Sequence, residues 1–398
     1  MTTAKPHILP AIVVSQLAGG SLWFAGNAVL PDLQRSGGLP EAALGQITTA
    51  VLLGFIAGTL VYSWLAISDR YSPRKIFLIS ALLGALMNAA TWFAGPDLWL
   101  LLILRFATGF FLAGIYPVGM KIAAGWFDRD LGKALGWLVS ALVMGTALPH
   151  LIRALGHTLP WQSVMLSVSV IAASGGVLMY TLVPDGPHLR SGARFDPAAF
   201  ATIFRSPDFR ASAFGYFGHM WELYAFWAFV PAFLVAAGPQ LVSGSREVSF
   251  WSFVVIAAGA AGCVAGGYAS RRFGSARVAF AQLGTSGICC LLSPLAFALP
   301  YPAMLAFLVV WGIAVAGDSP QFSALNAQNA PRDRVGSALT IVNCIGFAIT
   351  IVSIQLLSAA TALTGIQYLF VLVTPGPVLG LLALMHLVRK ERETGGTA

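Results

Sequence analysis

Apolar stretches of about 20 residues recur along this chain near 8–30, 45–67, 76–95, 98–121, 135–155, 161–183, 209–237, 248–270, 277–299, 303–327, 335–360 and 366–388. A helix rising 1.5 Å per residue needs about that length to cross a hydrocarbon core. Charged or Pro/Gly-rich breaks separate nearly every neighbouring pair, so the count is twelve. Lipid offers no partner to backbone N–H and C=O groups, which leaves helices packed on one another as the structure open to such segments. Hydrophobic residues make up 57% of the chain and charged residues 10%, against about 25% charged in soluble domains. The expected fold class is an all-α membrane protein with twelve transmembrane helices.

The twelve divide into two similar sets of six. Ala113, Gly114 and Pro117 match Ala316, Gly317 and Pro320 at an offset of 203, as do Arg129 and Asp130 with Arg332 and Asp333. Gly132 matches Gly336 after one inserted residue. The segment Asp69–Lys75 lies over Arg271–Arg277 at offset 202, and Ala25, Ala28 and Pro31 over Ala225, Ala228 and Pro231 at offset 200. An offset near half the chain length means one duplication, not a solenoid of short repeats. The reading is two pseudo-symmetric six-helix bundles, 1–183 and 209–398, joined by a polar linker over 184–208 that is too short for a soluble domain.

Lys and Arg set the orientation. With both termini in the cytoplasm, 19 basic residues fall inside, only Arg35, Arg153 and Arg246 fall outside, and Arg105 is left within a stretch. That asymmetry satisfies the positive-inside rule. It also accounts for the net charge of +8 through basic loops facing anionic headgroups, with no nucleic-acid partner required. The cysteines, Cys263, Cys289, Cys290 and Cys344, all fall in apolar stretches and form neither a disulfide framework nor a metal-binding CxxC. The first apolar stretch is long and no A-x-A site follows it, so it is expected to be retained as a helix and not cleaved as a signal.

Several local motifs fall at defined places in this pattern. After the second stretch come Asp69, Arg70, Arg74 and Lys75; the fourth contains Arg105 and Gly109; the loop that follows ends Gly132, Lys133, Ala134. In these residues and over essentially its whole length the chain resembles a major facilitator superfamily transporter of the bacterial twelve-helix type. The family's G-x-L-x-D-R-x-G-R-[RK] is matched in charge more than in backbone, because Leu65 and Ser72 stand at its two glycine positions and Pro73 at an arginine. Leu131 replaces the arginine of R-G-[KR]-A. Where the drug-antiporter branch reads G-x-x-x-G-P, this chain has Gly145 and then Ala147, Leu148 and Pro149. The resemblance implies a conformational gate at Asp69, Arg70, Arg74 and Lys75, with Asp69 latching the cytoplasmic side; a solvated loop acid is the plainer reading. It also implies that the first, fourth, seventh and tenth helices line a central cavity.

Three charges are clearly intramembrane: Arg105, Glu222 and Asp318. Each costs a few kcal/mol or more unless it meets a partner or water, so each is a candidate functional residue, and they fall on the fourth, seventh and tenth stretches. Tyr216, His219 and Glu222 recur every three residues and so share one helical face. Glu222 with His219 is the expected proton-coupling pair, with Asp318 as a further candidate; a structural tie to a neighbouring helix is the alternative. No metal site is expected, since a second His cluster and HExxH are both missing from the sequence. Arg105 has two readings: it grips an anionic substrate group through its planar fork, or it is the fixed partner of Glu222 or Asp318. Asp318 precedes Ser319–Pro320, which places it at a helix break beside protein or a water-filled space.

The first stretch adds a polar stripe of Gln16, Gly20, Trp23 and Asn27 at helical spacing. Gln16, Trp23, Asn27, Tyr216 and Arg105 are the expected substrate-binding residues. Gly54/Gly58 and Gly262/Gly266 form GxxxG pairs, which let helices approach closely. The sequence has no P-loop, dinucleotide fingerprint or catalytic triad spacing, so no enzyme and no cofactor is expected, and a receptor would be expected to carry a signalling domain. The function read from the sequence is a proton-coupled secondary transporter, working as a monomer in the inner membrane on a small polar or organic-anion solute. A proton-driven drug or metabolite exporter is the alternative. One proton crossing 100 mV supplies roughly 2.3 kcal/mol, about a 40-fold solute gradient, so one titrating group is sufficient.

Overall fold

The computed structural model describes residues 6–40, 42–95, 97–127, 131–189, 195–197, 199–237, 245–332 and 334–395. Arg129, Asp130 and Asp333 of the duplication lie outside these residues. All regular structure in the described residues is helical. Twelve helices are long and apolar enough to cross a membrane: α1 (Ile8–Arg35), α2 (Ala43–Trp64), α3 (Pro73–Phe93), α4 (Leu98–Trp126), α5 (Lys133–Leu155), α6 (Trp161–Leu182), α7 (Pro207–Ala237), α8 (Arg246–Phe273), α9 (Ser275–Ala298), α10 (Tyr301–Asn329), α11 (Val335–Thr361) and α12 (Ile366–Glu393). The chain is a multi-pass membrane protein. Among the described residues of the linker, a five-residue helix, Ala199–Ile203, precedes α7.

The ends of the helices follow from local chemistry. Gly38, in the left-handed region at φ 67°, closes α1, and its N–H donates to the Gln34 carbonyl. Asp97 caps α4 by accepting from the Leu100 N–H at 3.2 Å. Pro73 opens α3, where its missing N–H costs nothing. Between α2 and α3 the left-handed position falls on Ala66, at φ 49°, where a Cβ costs roughly 1–2 kcal/mol.

The chain separates into two compact units, residues 1–192 with 242–257 and residues 193–241 with 258–398. In the first unit α1 packs on α5 and α6, α2 on α4, and α3 on α4 and α6. In the second, α7 packs on α11 and α12, and α9 on α10 and α12. Adding six to each label of the first unit reproduces most contacts of the second, so the duplication read from sequence extends to the packing.

The GxxxG glycines have one role in both units. A Cβ on Gly54 of α2 would stand 1.9 Å from the Phe106 carbonyl oxygen of α4, and one on Gly109 of α4 would stand 2.0 Å from that of Val51. Gly262 of α8 is equally close to α10, 2.0 Å from the Ile313 oxygen. Only glycine permits that backbone approach.

Besides α12, whose 3₁₀ segment Ile366–Val373 meets its α-helical part at Thr374, three of the long helices are interrupted among the described residues. α1 loses its regular turn over Ser21–Phe24, α4 over Ala113–Ile115 and α10 at Asp318. The last two breaks are repeats of one another, since each follows an Ala–Gly pair or lies within one residue of it and each precedes a proline, Pro117 or Pro320. Proline removes one intrahelical donor and clashes with the preceding turn. α7 by contrast runs unbroken for 31 residues despite Pro231.

Candidate functional site

The interrupted helices gather the buried polar groups of each unit. In the second unit His219, Glu222 and Asp318 are all buried, at 1%, 0% and 0% exposure. His219 of α7 places Nδ1 2.8 Å from Asp318 Oδ1, a contact at ion-pair distance and not a well-aligned hydrogen bond. Its Nε2 is 2.9 Å from Ser319 Oγ. Two consecutive residues at the α10 break thus hold both ring nitrogens of one histidine. The carbonyl of Ala316, four residues before Pro320, accepts from the Cys263 thiol at 3.1 Å. The rings of Phe322 and Tyr216 stand 5.6 and 6.1 Å from the imidazole.

Glu222 is one turn along α7 from His219 but faces another neighbour. Its Oε2 accepts from the Cys290 thiol of α9 at 3.3 Å. Ser286, one turn earlier on α9, lies beside the same carboxyl and accepts from Trp311 Nε1 at 3.1 Å. The shared face that sequence spacing assigns to His219 and Glu222 is therefore split, with the imidazole toward α10 and the carboxyl toward α9. Tyr216 donates its hydroxyl to Asn343 Oδ1 of α11 at 3.2 Å.

In the first unit Arg105, 1% exposed, holds the α1 break. Its Nη2 donates to the Leu22 and Trp23 carbonyls at 2.7 and 2.8 Å, and Nη1 donates to Asn88 Oδ1 of α3 at 2.8 Å. These carbonyls lack their helical donors because α1 is unwound there, and the guanidinium supplies them. Its Nε lies against α1, where a Cβ on Gly26 would be 3.2 Å away. All three acceptors are neutral, and among the described residues no carboxylate stands within ion-pair distance of Arg105. Asn27 donates to Thr48 Oγ1 at 2.8 Å, Trp23 packs on Phe55 with ring centroids 4.8 Å apart, and Gln16 is fully buried beside Gly119 of α4.

The loop between α2 and α3 forms a third cluster. Asp69 pairs with Lys121 of α4, whose Nζ also donates to the Ser68 carbonyl at 2.7 Å. Arg74 lies 3.9 Å from Asp185 and 5.2 Å over the Tyr180 ring, while Ser72 donates to Asp185 Oδ1 at 2.9 Å. Arg70 and Lys75 are exposed. Ser68, Asp69, Arg70, Ser72, Lys121 and Asp185 line a cleft of about 290 Å³.

From the sequence Lys121 reads as a topology charge, and no pattern there marks Asn88, Asp185 or Cys290 as partners. Ser319 carries a usable signal, its place beside an intramembrane acid and a proline. A further pair joins α1 to α5: Arg153 Nε is 2.7 Å from Asp32 Oδ2 and Nη2 donates to Oδ1 at 2.8 Å. Among the described residues no three His, Cys, Asp or Glu side chains gather as metal ligands.

Twelve helices in a duplicated arrangement, with intramembrane charges at the breaks, define a polytopic solute-carrier class. The chain belongs to the Major Facilitator Superfamily, whose sequence profile matches residues 12–351. It is a membrane transporter of that family and not an enzyme. It is 23% identical over 299 residues to the probable sulfoacetate transporter SauU of Cupriavidus necator, covering 68% of this chain and 67% of that one. It is 27% identical over 180 residues to the niacin transporter NiaP of Acinetobacter baylyi, covering 43% of this chain and 38% of that one. The proton:xylose symporter XylE, bound to 6-bromo-6-deoxy-D-glucose, shares the fold at a TM-score of 0.75 and 14% identity, over 97% of both chains.

Proposed function

We propose that this protein takes up a small organic carboxylate together with protons, by alternating access, across a bacterial inner membrane with both termini in the cytoplasm. Arg105 carries the anion part of the reading. A buried guanidinium satisfied only by neutral acceptors keeps its full positive charge, and in a low-dielectric wall such a charge raises the local concentration of anions. Three of its five N–H hydrogens bond α1 and α3, so it keeps α1 broken and attracts the solute chiefly through its field, leaving Gln16, Trp23 and Asn27 of the same unit to make contact. The named solutes of the two relatives, sulfoacetate and niacin, are both carboxylic acids, which fits that field.

Proton coupling is assigned to the buried ionisable groups of the second unit, His219, Glu222 and Asp318. Asp69 with Lys121 serves as the inner latch, supported by Arg74 on Asp185. The reading is tested by counterflow in proteoliposomes preloaded with sulfoacetate, nicotinate, gallate or xylose. Exchange of at least one carboxylate and none of xylose is expected. Exchange of the neutral sugar alone overturns it.

A further inference from the structure

Both nitrogens of the His219 ring are engaged, and both partners come from the α10 break. Asp318 Oδ1 stands 2.8 Å from Nδ1 and Ser319 Oγ 2.9 Å from Nε2. A neutral imidazole carries one N–H, and the partner of each nitrogen decides where it sits. A carboxylate can only accept, so it selects the tautomer with the proton on Nδ1; the serine hydroxyl can donate to the bare Nε2 or accept from it once the ring is charged. Serine is thus the one partner that serves both protonation states without moving. The titratable groups that face the pair are Cys263 of α8, on the Ala316 carbonyl, Glu222 of α7, whose Oε2 is bonded to the Cys290 thiol, and Tyr216 of α7, whose ring stands 6.1 Å from the imidazole and whose hydroxyl donates to Asn343. Among the described residues neither Asp318 oxygen receives an aligned hydrogen bond, and His219 is the one basic side chain at ion-pair distance from it.

We infer that Ser319 is a positioning residue that sets the His219 tautomer, and that His219 and Asp318 hold the exchangeable proton as one unit from which Glu222 is separated by its tie to Cys290. This deepens the proton-coupling reading above and rests on it. The transfer is simple: protonation of Nε2 gives an imidazolium whose Nδ1 proton passes to Asp318 Oδ1, leaving a neutral ring with its proton on Nε2 toward Ser319. The proton is then held on the residue that forms the α10 break. There it changes what the 318–320 turn can bond to, which is how proton binding reaches the helix.

The test needs no substrate. Full-length protein in nanodiscs is titrated while infrared difference spectra follow the carboxyl C=O band, and uniformly histidine-labelled protein is followed by ¹⁵N NMR for the tautomer. Asp318→Asn is expected to remove the titrating carboxyl band, and Glu222→Gln to leave that band in place. Ser319→Ala is expected to change the apparent proton affinity by roughly threefold to tenfold, the scale of one hydrogen bond, and to scramble the His219 tautomer, while Ser319→Thr restores both. A titrating band that survives Asp318→Asn and vanishes in Glu222→Gln overturns the inference. So does a Ser319→Ala protein with the wild-type tautomer and midpoint. Sulfoacetate counterflow on the same samples is read separately: loss of transport with these spectra intact counts against the solute reading and not against the proton unit.

Discussion

Replacing Arg105 with lysine tests the first unit at its most committed side chain. The guanidinium reaches three acceptors on two helices, Asn88 Oδ1 at 2.8 Å and the carbonyls of Leu22 and Trp23 at 2.7 and 2.8 Å. An ammonium is a compact point charge without the planar fork. It can meet the adjacent carbonyls or the Asn88 amide, but not both sets. A hydrogen bond to a charged group contributes about 1.5–3 kcal/mol, and a buried acceptor left bare costs a similar amount, so the loss is about 3 kcal/mol. For a unit of this size each kcal/mol moves Tm by about 2–4 °C, giving a fall of about 6–12 °C in a fluorescence melt in substrate-free detergent. Arg105→Ala should fall further, and neutralising Glu222 or Asp318 should rescue neither variant, because the partners of Arg105 are Asn88 and the α1 backbone. Asn88→Ala combined with Arg105→Lys should cost less than the two losses added. Unchanged melting in both Arg105 variants, with anion binding abolished, would refute the reasoning and return Arg105 to direct contact with the solute.

Three further outcomes follow from single observations. Ala66→Gly relieves the left-handed strain at φ 49° and should raise Tm by a few degrees, for a gain of about 1 kcal/mol; a lower Tm would show that the Ala66 side chain packs usefully. Asp69→Asn removes the charge paired with Lys121 and should increase labelling of cysteines placed near the α2–α3 loop by a membrane-impermeant reagent, with unaltered labelling and turnover counting against a latch. Asp32→Asn leaves Arg153, 6% exposed, without its carboxylate and should destabilise by about 3 kcal/mol, the cost of breaking a buried pair, read as a Tm loss that Arg153→Met reverses.

The fold was legible in the sequence because its determinants are local. Apolar length gives the spans, Pro320 gives the α10 break, the GxxxG pairs give the close approaches, and the offset of 203 joins Pro117 to Pro320, whereas the α1 break over Ser21–Phe24 contains neither glycine nor proline. Span ends were less legible: α1 continues to Arg35 because Pro31 is accommodated within the helix, where the sequence suggested an end near residue 30. The site was legible as a roster of residues and not as a set of contacts. Helical spacing puts His219 and Glu222 on one face, yet a face about 100° wide touches two neighbours, and which neighbour each side chain meets depends on how α9 and α10 pack. No pattern within α4 announces that Arg105 would meet the carbonyls of α1, because those acceptors are backbone atoms that carry no sequence signature.

The central claim, that carboxylate and proton move inward together, is tested most directly by adding external sulfoacetate to proteoliposomes that enclose a pH-sensitive dye, with no gradient imposed. Its sulfonate stays charged, so the solute cannot leak through lipid as a neutral acid. The account predicts that the interior acidifies as sulfoacetate enters, and that Asp318→Asn takes part in sulfoacetate exchange without acidifying. Entry of sulfoacetate with a steady interior pH, or with alkalinisation, would contradict it.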